Sequence, residues 1–109
     1  MAPPRLSEAE IEAGLAALPG WRRDGEVIHG AWRFTDFAAA FGFMAEIAIH
    51  AEKRDHHPDW SNVYNRVSIV LTTHDSGGLT ASDLDLAALV ISAVARAGGE
   101  SIIDSWPAG

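Results

Sequence analysis

Two short segments, Asp55-His56-His57-Pro58-Asp59-Trp60 and Thr72-Thr73-His74-Asp75, carry three of the five histidines in the chain. Imidazole takes up and releases a proton near neutral pH, so histidines gathered in this way suit acid–base catalysis or metal ligation. A helix that binds a metal places its histidines at i and i+3 or i+4, where they share one face. His50, His56 and His57 are instead separated by six, one and seven positions, and a zinc or iron site would have to borrow Glu52 or Asp55. Covalent catalysis has less support, because cysteine is absent and no Gly-x-Ser-x-Gly elbow occurs. Gly77-Gly78 lacks the Lys-Ser or Lys-Thr that completes a phosphate-binding loop. The chemistry left is proton transfer on a bound small molecule. Dehydration, hydration and tautomerisation all fit, with one imidazole protonating a departing hydroxyl while another removes a proton elsewhere. Trp60 and Tyr64 offer a flat wall for a planar ligand or, equally, sheet core. His29 and His50, each alone in its segment, read as ordinary hydrogen-bonded groups.

The elements that must hold these side chains can be read in order. Ser7-Glu8-Ala9-Glu10 is a capping-box pattern with Leu6 and Ile11 as its hydrophobic staple, and it predicts a helix presenting Ile11, Leu15 and Leu18 up to Pro19-Gly20. Trp21 to Arg23 and Val27 to Phe34 flank Asp24-Gly25, a pair that favours a tight hairpin, with Ile28, Trp32 and Phe34 on one side. Asp36 caps a second helix in which Phe37, Phe41, Met44 and Ala48 recur at helical spacing and Ile47 and Ala51 widen the stripe. That helix runs to Asp55. Pro58 disfavours helical geometry at His57, so the His pair falls at the helix end or beyond it. Trp60 to Thr73 is too long for one strand and breaks at Tyr64-Asn65, where Asn tolerates left-handed geometry; Val67, Ile69 and Leu71 then alternate up to His74. After Gly77-Gly78, Thr80-Ala81-Ser82-Asp83 is a second capping box. It opens a last helix with Leu84, Ala87, Ala88, Ile91, Val94 and Ala95 as its core face and a stop at Gly98-Gly99.

The order is helix-strand-strand-helix-strand-strand-helix. Strands joined by short turns pair antiparallel, which predicts an α+β, two-layer domain: a four-stranded antiparallel sheet with helices packed on one face. Leu86, Leu89, Val90 and Ala93 exceed what one sheet contact would use, and they predict self-association. His56, His57 and His74 form one site if the end of the second helix and the end of the fourth strand share a rim, which this order permits.

A chain of 109 residues suits a single domain over 1–109, and 48% hydrophobic residues give it a core without disulfides. A formal charge of −7 argues against nucleic acid, whose phosphates need clustered Lys and Arg. No stretch is apolar enough for a membrane span, and Met1-Ala2-Pro3-Pro4-Arg5 lacks the apolar core of a signal peptide. The expected location is cytoplasmic.

One resemblance gathers these segments. Ala51-Glu52-Lys53-Arg54 followed by Asp55 to Val67, then Leu71-Thr72-Thr73-His74-Asp75 and Gly78-Leu79-Thr80 to Asp83-Leu84, closely resembles the pterin-4a-carbinolamine dehydratase family. Gly20-Trp21, Phe37 and Phe41-Gly42-Phe43-Met44 match as well, so the similarity runs from Leu6 to Ala95. It implies the two-layer α+β fold and the dehydration of 4a-hydroxytetrahydropterin to quinonoid dihydropterin, which recycles the pterin of aromatic amino acid hydroxylases. It further implies no metal or redox cofactor and a homodimer or homotetramer. By position, His56, His57 and His74 match the family's essential histidines, and Asp55, Pro58, Thr73 and Asp75 match its pterin-contacting segments. Glu52 and Asp83 match further motif positions. Ser76 and Ser82 stand where animal members often carry Cys and Arg, and Asp75 where Glu is frequent. Animal members also act as dimerisation cofactors of a homeodomain transcription factor, so the alternative is a non-catalytic dimerisation or coactivator module that binds a protein through its helical surface.

Overall fold

The capping box at Ser7 forms and opens the first helix, α1 (Glu8–Ala16): Ser7 Oγ accepts the Glu10 amide at 3.1 Å, and the Glu10 carboxylate accepts the Ser7 amide at 2.8 Å. The computed structural model describes residues 2–106, so Met1 and positions 107–109 of the expected 1–109 domain lie outside the described residues. α1 stops short of Pro19, because the amides of Ala17 and Leu18 bond carbonyls three residues back and tighten the last turn. Gly20, at φ +91°, then turns the chain into β1 (Arg22–Asp24). Asp24 pairs with Val27 of β2 (Val27–Arg33), so the two-residue turn is Gly25-Glu26 rather than Asp24-Gly25. Gly25 takes φ +61° at the first turn position, where a hairpin with right-handed strand twist favours glycine.

Asp36 caps α2 (Phe37–Arg54) by accepting the Ala39 amide at 2.8 Å. The buried side of α2 is Ala40, Phe43, Ile47 and Ala51, so Ile47 and Ala51 of the expected stripe are buried and the rest of it is not. Phe37 and Phe41 are exposed, their rings tilted against each other, Ala48 is exposed, and Met44 is partly buried. α2 is apolar around much of its circumference, so periodicity allowed two solutions. Packing decides between them: the Phe43 and Phe34 rings lie 4.8 Å apart between centroids, and Ala40 and Ala51 are fully buried.

β3 (Asp59–Val63) and β4 (Arg66–Leu71) form the second hairpin, and the residue in left-handed geometry is Tyr64 (φ +53°) rather than Asn65. Both neighbouring asparagines are occupied elsewhere. Asn62 donates to the carbonyls of Tyr64 and Arg66, and Asn65 donates to that of Phe34. The antiparallel sheet has the order β1-β2-β4-β3, and a short fifth strand, β5 (Glu100–Ser101), pairs with the end of β2. Ile28, Gly30 and Trp32 stand opposite Leu71, Ile69 and Val67 on the face that receives the helices. On the other face Ser61 and Ser68 share a hydrogen bond at 2.7 Å.

The second capping box also forms and opens α3 (Ala81–Ala97). Its buried residues are Asp83, Leu86, Ala87, Val90, Ala93 and Val94, where the expected core face was Leu84, Ala87, Ala88, Ile91, Val94 and Ala95. Leu86, Val90 and Ala93, read from the sequence as a surplus surface for self-association, are therefore core, with Leu89 partly buried against it. α3 packs against α2, and its buried side chains join the core cluster that includes the sheet. Among the described residues the exposed large apolar side chains are Phe37, Phe41 and Ile49 of α2 together with Val63 and Tyr64 of the β3–β4 hairpin. Among the described residues no helix is long and apolar enough to cross a membrane.

Candidate active site

The register of the second hairpin brings the histidine segments together. Asp59, the first residue of β3, pairs with Val70 near the end of β4, so His56-His57-Pro58 must run beside Thr72-Thr73-His74. α2 ends by its own geometry before Pro58 acts. Asp55 is left-handed (φ +50°, ψ +43°), and the His56 amide reaches back to the Ala51 carbonyl at 3.0 Å, closing the last turn. On the other side, Thr73 and Gly78 exchange backbone hydrogen bonds that pinch off a 3-10 turn over His74–Ser76, with Gly77 at φ +72°.

These segments surround a cavity of about 530 Å³, within the range of small-molecule sites. His56, His57 and His74 all line it, with Asp55, Thr73 and Asp75. Ala2, Pro3, Arg54, Thr72 and Ser82 complete the wall. The Ser76 hydroxyl donates to the Pro3 carbonyl, and the Leu6 amide donates to Leu79 at 2.9 Å, which holds the first residues over this rim.

The three imidazoles differ in environment. His56 has 11% of its side chain exposed, and its Nε2 lies 2.6 Å from Oδ1 of the fully buried Asp83. A neutral imidazole donates Nε2–H to that carboxylate, which leaves Nδ1 free to exchange a proton. The pair also spans two helix ends, with His56 just past the negative terminus of α2 and Asp83 in the positive first turn of α3. His57 is exposed and bonds Glu52 at 2.9 Å. His74 is 80% exposed, with Asp59 at 3.9 Å.

Glu52, Pro58 and Asp83 do not line the cavity: Glu52 touches His57, and Asp83 stands behind His56. Thr73 lines it, yet its hydroxyl donates to Asp83 Oδ2 at 2.8 Å. Trp60 packs beside the core opposite Ile69, and Tyr64 lies at the far end of β3; neither is a cavity wall. His50 lies 3.8 Å from Glu46, and His29 stands in β2. Among the described residues no group of three or more His, Cys, Asp or Glu side chains has the arrangement of a metal site. Sequence reading missed the wall residues Ala2, Pro3, Arg54 and Thr72. Arg54, adjacent to the His-pair segment, and Thr72, which opens the Thr-Thr-His-Asp segment, carried a signal that could have found them; Ala2 and Pro3 carried none.

The chain is thus an α+β domain with three histidines on the wall of one cavity, one of them bonded to a buried carboxylate. The sequence model described as pterin 4 alpha carbinolamine dehydratase matches residues 4–93, and the chain belongs to that family. A Novosphingobium aromaticivorans protein named "Putative pterin-4-alpha-carbinolamine dehydratase" is 58% identical over 85 residues, 76% of this chain and 88% of its own length. A Bordetella avium protein of the same name is 46% identical over 100 residues, covering 90% and 93%. A Brucella melitensis crystal structure described as a transcriptional coactivator/pterin dehydratase superposes with a TM-score of 0.79 at 45% identity, over 82% of this chain and 97% of that one.

Proposed function

We propose that this chain dehydrates a 4a-hydroxytetrahydropterin to the quinonoid dihydropterin and water. The observation that carries this reading is the convergence of His56, His57 and His74 on one cavity, with His56 held by a buried carboxylate. The reaction breaks the C4a–O bond, the hydroxyl leaving as water once protonated, while a ring nitrogen gives up its proton and forms the new C=N bond. His56 and His74 divide these two proton transfers. His57, oriented by Glu52, and Asp55 and Asp75 hold the pterin. No redox or metal cofactor enters, because the substrate's own electrons form the double bond.

In this reading the chain is cytoplasmic, assembles as a homodimer or homotetramer, and returns pterin to an aromatic amino acid hydroxylase. A second reading, a coactivator module binding a protein through α2, draws on the exposed Phe37, Phe41 and Ile49 and on the description of the Brucella melitensis structure. One assay separates them. Decay of freshly formed 4a-hydroxytetrahydropterin is followed with and without the protein, against its spontaneous rate. A dehydratase accelerates the decay and loses this when all three histidines become alanine; decay at the spontaneous rate with intact protein leaves the module reading.

A further inference from the structure

The hydroxyl of Thr73 lies in a line of hydrogen bonds whose directions can be worked out. Asp83 Oδ2 only accepts, so the single Thr73 hydroxyl proton goes to it, at 2.8 Å. The 2.8 Å contact between Thr73 Oγ1 and Thr80 Oγ1 must then be a donation from Thr80. Thr80 Oγ1 in turn accepts the Ser82 amide at 3.2 Å, and the Thr80 amide donates to Asp83 Oδ2 at 2.9 Å. Every proton in this group therefore points toward the carboxylate, whose other oxygen meets His56 Nε2. Thr73 is 7% exposed, and Thr80 and Asp83 are fully buried. The same Thr73 also closes the turn that carries His74, through both of its backbone hydrogen bonds to Gly78.

Building on the dehydratase reading, we infer that Thr73 is the positioning residue joining the two proton-transfer histidines. Its main chain sets the His74 turn, and its hydroxyl fixes the Asp83 carboxylate that holds His56 in the Nε2–H tautomer. Thr80 supports it. Thr73 acts through other side chains, and its hydroxyl is already spent on Asp83 when the substrate arrives. A buried carboxylate that loses one of three donors can rotate or take a proton, and either change frees His56 from one orientation.

The test compares wild type, Thr73→Val, Thr73→Ser and Thr80→Val in steady-state dehydration well below their melting temperatures. Thr73→Val should lower kcat by about 10- to 100-fold with KM little changed, and Thr73→Ser, which restores the hydroxyl, should recover most of the loss. Thr80→Val should give a smaller loss in the same direction. A Thr73→Val protein that melts earlier but keeps wild-type kcat would overturn the inference, as would failure of Thr73→Ser to rescue. ¹⁵N spectra of the wild-type imidazoles give a readout that does not depend on any variant folding. Neutral His56 must appear as the Nε2–H tautomer, and the Nδ1–H form would also overturn the inference. If wild type itself fails to accelerate dehydration, the dehydratase reading falls and takes this role with it, while the tautomer spectrum still reports on the geometry.

Discussion

His56 Nε2 and Asp83 Oδ1 lie 2.6 Å apart, linking the end of one helix to the first turn of another through a carboxylate with no exposed surface. An imidazole held in this way has one nitrogen committed and one free, as a proton-transfer group in a defined tautomer requires.

Asp83→Asn should therefore damage both chemistry and stability. The amide cannot accept from His56, Thr73 and the Thr80 amide as the carboxylate does, so a buried group is left unpaired. The expected cost is about 1–3 kcal/mol of stability and a fall in kcat of about 10²- to 10⁴-fold. Urea unfolding and dehydration kinetics on the same preparation check this; wild-type kcat in a folded Asp83→Asn protein would be against it.

Asp55 ends α2 in left-handed geometry, which suits glycine better than any other residue. Asp55→Gly should raise stability by up to about 1 kcal/mol while raising KM, because the carboxylate on the cavity wall is lost. Such an opposition would mean that the aspartate is kept for the ligand rather than for the helix end. A variant of lower stability and unchanged KM would refute it.

Gly30 lies under the Trp32 ring, and an added Cβ would come within 2.2 Å of it. Gly30→Ala must push a fully packed indole aside, for about 1–3 kcal/mol of destabilisation. The loss should appear as a lower urea midpoint with little change in the active-site kinetics, since Gly30 is remote from the cavity wall.

Burial holds the His29 imidazole below its ordinary value of 6.5, partly offset by Asp24. The unfolded chain therefore binds this proton more readily than the folded one. The stabilising effect of a neutral His29 is complete above the unfolded value and is lost as pH falls through the lower folded value. His29→Gln removes that dependence, so its stability should gain on wild type as pH is lowered from 7.5 to 5. Urea midpoints that fall in parallel for both proteins would contradict this.

Much of this was legible in the sequence because it is local. Both capping boxes, the hairpin breaks and the His-Pro segment depend on residues a few positions apart, and so does the element order. The faces of α2 and α3 were not legible, because each helix is apolar on more than one side and the choice is made by partners distant in sequence. Leu86 and Val90 looked surplus in the sequence, yet both are fully buried in the core. The site followed the same division: the three histidines stood out by type and spacing, whereas the role of Thr73 depends on where its hydroxyl points. Asp83, recognisable as a helix cap, shows its second partner only when α2 and α3 are packed.

The most direct test of the acid–base account is the initial rate of 4a-hydroxytetrahydropterin loss above the spontaneous background for wild type, His56→Ala, His57→Ala and His74→Ala. His56→Ala and His74→Ala should each lower kcat by about 10²- to 10⁴-fold, and His57→Ala should act mainly on KM. A folded His74→Ala protein that dehydrates the substrate at the wild-type rate would contradict the account.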